Sequence, residues 1–179
     1  MHIQDQFEWL PGDWYVVVIR GCLPLGKNTW CYYDVSEDRK GSIPAAQRDV
    51  WKHLSQWMKL KTRELGADSQ QVYLAGFSQG AMIALAIGIL FPETAQKIVV
   101  CSGKLPNELK SLTWDAAAIG KTNFLILHGT QDKVIPVSEA REAQKRLNAI
   151  QARVIYQEYD CNHEMTPAMR LKIDQFWGK

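Results

Sequence analysis

The sequence has no apolar run long enough to cross a bilayer. Its longest, Ala81 to Leu90, falls well short of the roughly 20 residues a spanning helix needs. An excess of one charge is also missing. Lys and Arg number 21 against 19 Asp and Glu, a net of +2, too little for a nucleic-acid footprint. Cysteine is sparse and unpatterned: Cys22, Cys31, Cys101 and Cys161 make no C-x-x-C pair and no metal-ligand spacing. They read as cytosolic thiols, not as staples or a zinc site. The opening residues, Met1-His2-Ile3-Gln4-Asp5, lack the basic start and apolar stretch of a secretion signal. A cytoplasmic chain with no membrane span is the expectation. No repeat, low-complexity tract or linker interrupts it. At 179 residues, 46% of them hydrophobic and 22% charged, it suits a single domain over 1–179 with its own core.

What is present alternates. Tyr15-Val16-Val17-Val18-Ile19 is a continuous apolar run of strand length, as expected of a strand covered on both faces. After a loop from Gly21 to Lys40, Ser42 and Pro44 predict a helix start. Val50, Leu54, Trp57, Met58 and Leu65 give that helix an apolar stripe, and Gly66 stops it. Further strands are expected at 71–75, 97–101, 123–127 and 152–159, with helices at 79–91, 138–150 and 166–177. Residues 103–120 read as irregular, with a short helical turn near 114–119. Strands alternating with helices predict an α/β protein: three layers, with a mostly parallel sheet of about five strands.

Gly76-Phe77-Ser78-Gln79-Gly80 has the form G-x-S-x-G between a predicted strand and a predicted helix. A serine there occupies a tight turn with its hydroxyl lifted clear of the sheet, and small neighbours two positions away let strand and helix approach. The following helix favours negative charge near Ser78, and the N–H of Gln79 is a natural oxyanion donor. Serine is a poor nucleophile unless a base, oriented by a third group, takes its proton. On such sheets the chain order is Ser, Asp or Glu, then His. Asp132 follows the strand at 123–127 and His163 follows the one at 152–159, so all three fall at the same edge of a parallel sheet. His163 is the expected base and Asp132 the expected orienting acid. The plainer alternatives are a Gly/Ser turn, a turn cap at Asp132 and a helix-flanking His163. His128 reads as a packed strand-end histidine. His128, Asp132 and His163 lack metal-site spacing, so no metal is expected.

Four segments together resemble one family: Gly76-Phe77-Ser78-Gln79-Gly80, Ser102-Gly103-Lys104-Leu105-Pro106, His128-Gly129-Thr130-Gln131-Asp132 with Val134-Ile135-Pro136, and Cys161-Asn162-His163-Glu164-Met165. They look like the phospholipase/carboxylesterase family of α/β-hydrolases, which includes acyl-protein thioesterases. Leu23-Pro24-Leu25-Gly26 and Trp30-Cys31-Tyr32-Tyr33-Asp34 look like that family's loop ending in Trp-aromatic-Asp. The resemblance implies a serine esterase acting on a small acyl ester or thioester, with Ser78, Asp132 and His163 as its triad and no cofactor. Leu23, Trp30, Leu105 and Pro106 would then flank the acyl group, although ordinary packing uses the same side chains. Family members carry a further strand before the one at 15–19, ending in a His-Gly-x-Gly loop that supplies the second oxyanion N–H. Among the residues before Tyr15 there is no such motif. The expectation is an N-terminally shortened sheet in which 15–19 pairs with 71–75 and brings Cys22 to the oxyanion position. An upstream start, or a partner chain filling the slot in a homodimer, are the alternatives. Two competing functions are a non-catalytic scaffold that binds an acyl ligand or partner, and a cysteine hydrolase using Cys22, Cys101 or Cys161.

Overall fold

The computed structural model describes residues 14–27, 29–33 and 44–178. Asp34, Ser42 and the first five residues, all used above, lie outside the described residues. The elements in order are β1 (Leu23–Gly26), β2 (Thr29–Cys31), α1 (Pro44–Glu64), β3 (Tyr73–Phe77), α2 (Gln79–Leu90) and β4 (Lys97–Cys101). Then come α3 (Asn107–Lys110), α4 (Ala116–Ile119), β5 (Asn123–Gly129), α5 (Val137–Ala149), β6 (Arg153–Tyr159) and α6 (Pro167–Trp177). Strands β3-β4-β5-β6 form one sheet in that order, and all three pairings are parallel. β1 and β2 form a separate antiparallel hairpin.

The sheet has two faces because strand side chains alternate. Ile98 and Val100 on β4, with Phe124 and Ile126 on β5, pack into the cluster that holds Trp51, most of α2, and Ala140, Ala143 and Leu147 of α5. Their alternates Val99, Cys101, Leu125 and Leu127 pack on the other face with Met169, Ile173 and Trp177 of α6. Each fully buried large apolar side chain stabilises the fold by about 1.5–3 kcal/mol relative to exposure. Helix α2 is buried over every residue from Ala81 to Ile89, which explains why its sequence has no polar face. This is the expected three-layer α/β arrangement.

The N-terminal strand is a correction. Residues 15–19 form no strand, and the described sheet has four strands, not five. Tyr15, Val16 and Val17 are 63%, 46% and 46% exposed, so the run is not covered on both faces. The expected pairing of 15–19 with 71–75 is not formed. Trp14 instead packs on Tyr73 with ring centres 5.3 Å apart, and Tyr32 donates its hydroxyl hydrogen to the Ile19 carbonyl.

Helix α1 is a correction in part: Leu54 and Met58 of the expected stripe pack against the core, but its fully buried line runs through Gln47, Trp51 and Ser55 while Trp57 is exposed. A buried polar Ser55 is tolerated because its hydroxyl lies 2.7 Å from that of Thr94. Strand β3 begins two residues later than expected. Asp68 caps a short 3-10 turn at Ser69–Gln71 through the Gln70 N–H, which delays extension. The last helix starts as expected: Thr166 accepts from the Met169 N–H, with Pro167 in the first turn, where its missing N–H costs nothing.

Candidate active site

The ladder between parallel strands continues one step past their ends. Ser78 donates its N–H to Cys101 O and Ser102 donates its own to Leu127 O, at 3.0 and 2.9 Å. The carboxyl ends of β3, β4 and β5 are thereby held level, and the loops that follow them meet at one rim. Two of these ends are strained. Ser78 has φ 53 and ψ −118, and Ser102 has φ 48, backbone conformations that cost a non-glycine residue of order 1–3 kcal/mol. The Ser78 hydroxyl makes no cap to its own helix. Its carbonyl instead starts α2, accepting from Ala81 and Met82 at 3.0 and 3.1 Å. Gln79 is the first residue of α2, where backbone N–H groups have no acceptor within the helix.

Gly76 is required by close approach, since a Cβ there would run into the Gly80 carbonyl. Gly80 is not required in the same way: a Cβ on it would meet nothing within 4 Å. Only one of the two glycines thus answers to the crowding that G-x-S-x-G implies.

Asp132 is 7% exposed and well supplied with donors. Its Oδ1 accepts from the Val134 and Ile135 N–H groups, each at 2.8 Å. Its Oδ2 accepts from His163 Nδ1 at 2.7 Å. Burial pushes the Asp132 pKa up, but the hydrogen bonds from His163, Ile135 and Val134 outweigh it and hold the carboxyl below its ordinary value. The imidazole of His163 packs on Phe77, the residue before Ser78, with ring centres 4.8 Å apart. These contacts bring the loops of Ser78, Asp132 and His163 to one place. Among the described residues the Asp132–His163 hydrogen bond is formed.

Gly129, to which the sequence reading gave no structural role, holds these loops together. A Cβ on Gly129 would strike the carbonyls of Cys161 and Asn162. The absent side chain is what lets the loop carrying His163 lie backbone to backbone on the loop carrying Asp132. Thr130 and Gln131 then donate to Tyr159 O and Cys161 O at 2.8 and 3.0 Å. His128 is fully buried, and its Nε2 lies 2.8 Å from the Ile135 carbonyl and 3.4 Å from Asp132 Oδ2. A carbonyl can only accept, so Nε2 carries the hydrogen and faces the acid loop. His128 is thus the packed strand-end histidine expected from the sequence, and the available signal for Gly129 was a glycine closing β5 shortly before the acid.

The remaining candidates are distributed as follows. Leu23 and Trp30, on the β1–β2 hairpin, are 42% and 40% exposed. Leu105 is fully buried in the larger core cluster, and Pro106 is buried as the residue preceding α3. Cys22 is exposed just before β1. Burial pushes the Cys101 thiol up to about 12. Burial also raises Cys161, helped by the charges of Glu164, Asp132 and Asp160. Neither thiol has the electropositive setting that makes a thiolate reactive. Among the described residues no three His, Cys, Asp or Glu side chains are grouped as metal ligands. No helix among the described residues is long and apolar enough to cross a membrane.

Comparison with known proteins agrees with this fold. A carboxylesterase from Mesorhizobium loti superposes with a TM-score of 0.74 at 13% identity, covering 87% of this chain and 71% of that one. At that identity the likeness shows the fold, that of the α/β-hydrolases. Among curated proteins, a "Probable inactive carboxylesterase" of Oryza sativa subsp. japonica is 29% identical over 64% of this chain and 47% of its own length. Acyl-protein thioesterase 1 of Schizosaccharomyces pombe is 27% identical over 54% of this chain and 43% of its own length. The chain spans about half the length of the curated relatives it matches. The phospholipase/carboxylesterase family model matches residues 22–178, and the chain belongs to that family.

Proposed function

We propose that this protein is a serine hydrolase that cleaves small carboxylic esters or thioesters through an acyl-enzyme on Ser78. His163 Nε2 takes the Ser78 proton as Oγ attacks the carbonyl carbon. The carbonyl oxygen becomes an oxyanion and accepts from the Gln79 N–H, with the Cys22 N–H as the candidate second donor. Collapse of the intermediate expels the alcohol or thiol, which leaves with the proton from His163. Water then attacks the acyl-enzyme as His163 takes its proton, and His163 returns that proton to Ser78 Oγ as the acid is released. Asp132 keeps the hydrogen on Nδ1 and so leaves Nε2 free to act as base. No step uses a cofactor.

The observation that carries this reading is the 2.7 Å hydrogen bond from His163 Nδ1 to Asp132 Oδ2, with the imidazole tilted against Phe77, the residue before the strained Ser78. Hydrolysis of p-nitrophenyl acetate tests it: wild type should turn over and Ser78→Ala should not. Equal rates in the two proteins overturn it.

A second reading has its own support. The rice relative is named as inactive, and a site with the Gln79 N–H as its lone oxyanion donor would lose about 10²–10³ in rate. On that reading the scaffold binds an acyl ligand or a partner, a second copy included, without turnover.

A further inference from the structure

Ile135 ties the acid to the sheet with both of its backbone groups. Its N–H donates to Asp132 Oδ1 at 2.8 Å, and its carbonyl accepts from His128 Nε2 at 2.8 Å. His128 belongs to β5, which is paired on both sides, with β4 and with β6. The ring therefore carries the fixed position of an interior strand to the residue that fixes the acid. Nε2 also lies 3.4 Å from Asp132 Oδ2, the oxygen that accepts from His163 Nδ1 at 2.7 Å. Two imidazoles thus converge on one carboxylate oxygen. With a carbonyl and a carboxylate before it, Nε2 must carry a hydrogen, since a lone pair there would face two acceptors.

The ring is retained at a cost. His128 is fully buried, and its Nδ1 has no hydrogen-bond partner among the described residues. An unpaired buried nitrogen opposes folding, and an apolar side chain would fill the same space without that penalty. What an apolar side chain lacks is a donor for the Ile135 carbonyl. Resting on the serine-hydrolase reading above, we infer that His128 is a positioning residue: through Ile135 it holds Asp132 Oδ2 toward His163 and so governs the rate of the chemical steps. Acylation and deacylation both use His163, so loosening the acid slows the two together, which lowers kcat and leaves KM alone. A histidine that only filled the core would alter the unfolding midpoint and neither kinetic constant.

His128→Phe keeps a planar ring and removes the donor. His128→Asn also removes it, because its shorter side chain ends near the position of Nδ1, and serves if His128→Phe does not fold. His128→Gln reaches as far as Nε2 and restores an N–H. In folded protein, kcat for p-nitrophenyl acetate should fall by about tenfold or more in His128→Phe and His128→Asn, with KM within about twofold of wild type. His128→Gln should be about fivefold or more faster than either. The second readout is the low-field proton resonance of His163 Nδ1–H, identified by its loss in His163→Ala. It should persist in wild type and His128→Gln, and broaden away in His128→Phe and His128→Asn. A kcat within about twofold of wild type in a folded variant without the donor, His128→Gln as slow as those variants, or a resonance unchanged throughout overturns the role of His128 and leaves the hydrolase reading intact. Absence of Ser78-dependent turnover in wild type overturns the hydrolase reading and with it the effect on rate, while the resonance still decides whether His128 positions the acid.

Discussion

His163 Nδ1 sits 2.7 Å from Asp132 Oδ2, while the other oxygen of the same carboxylate is taken by the N–H groups of Val134 and Ile135. The acid is fixed to its own loop on one side, so it can orient the imidazole on the other. Asp132→Asn should preserve the loop and lose the orientation, because an amide can present a donor to Nδ1 and turn the tautomer over. The expected result is a fall in kcat of about 10⁴, with the far-ultraviolet spectrum unchanged. A fall under tenfold would mean that Asp132 is only a turn cap.

The two glycines around Ser78 should behave oppositely. Gly76→Ala forces a Cβ into the Gly80 carbonyl and should cost about 1–3 kcal/mol or more by overpacking. Gly80→Ala enters open space at the start of α2 and should leave stability unchanged or raise it by up to about 1 kcal/mol, because alanine is the better helix former. Urea unfolding of both variants checks this, and equal losses would contradict the account of the turn.

Much of this was legible in advance. Four parallel strands, their helices and the order Ser78, Asp132, His163 follow from period, punctuation and motif, all of which are local. The failures share a cause. Tyr15 to Ile19 is apolar and β-branched, yet a strand needs a partner and a cover, and neither can be read from the run itself. The buried side of α1 passes through Ser55 because Thr94, far along the chain, supplies a partner. The same applies at the site. The clash that excludes a side chain from Gly129 is a long-range contact, as are the hydrogen bonds that Gln79 Oε1 accepts from the Tyr32 N–H and that its Nε2 donates to the Tyr33 carbonyl, and none of these leaves a periodic trace.

Gly129→Ala should separate activity from stability. The new Cβ must push the Cys161 and Asn162 carbonyls away, carrying His163 with them. A displacement of about 1 Å costs on the order of 10²-fold in rate. That loss should be seen in kcat for p-nitrophenyl acetate, in protein that still unfolds cooperatively. Unchanged kcat would show that the two loops need not touch.

Acid should weaken the fold partly through Asp132. Its carboxyl is held below the ordinary value, so the fold favours the ionised form. The stability this brings is full above the unfolded value of about 3.9 and is lost as pH falls through the lower folded value. The gap in urea midpoint between wild type and Asp132→Asn should therefore close as pH drops from neutral towards about 2. A gap that persists in acid would contradict the charge-based account.

The central claim is that His163 activates Ser78, and a fluorophosphonate probe tests it most directly. Phosphonylation needs a serine whose proton is taken as it attacks. Mass spectrometry of the treated protein should find one adduct on the peptide bearing Ser78 in wild type and none in His163→Ala. Folded wild type that stays unmodified, or a His163→Ala protein that labels equally fast, would contradict it.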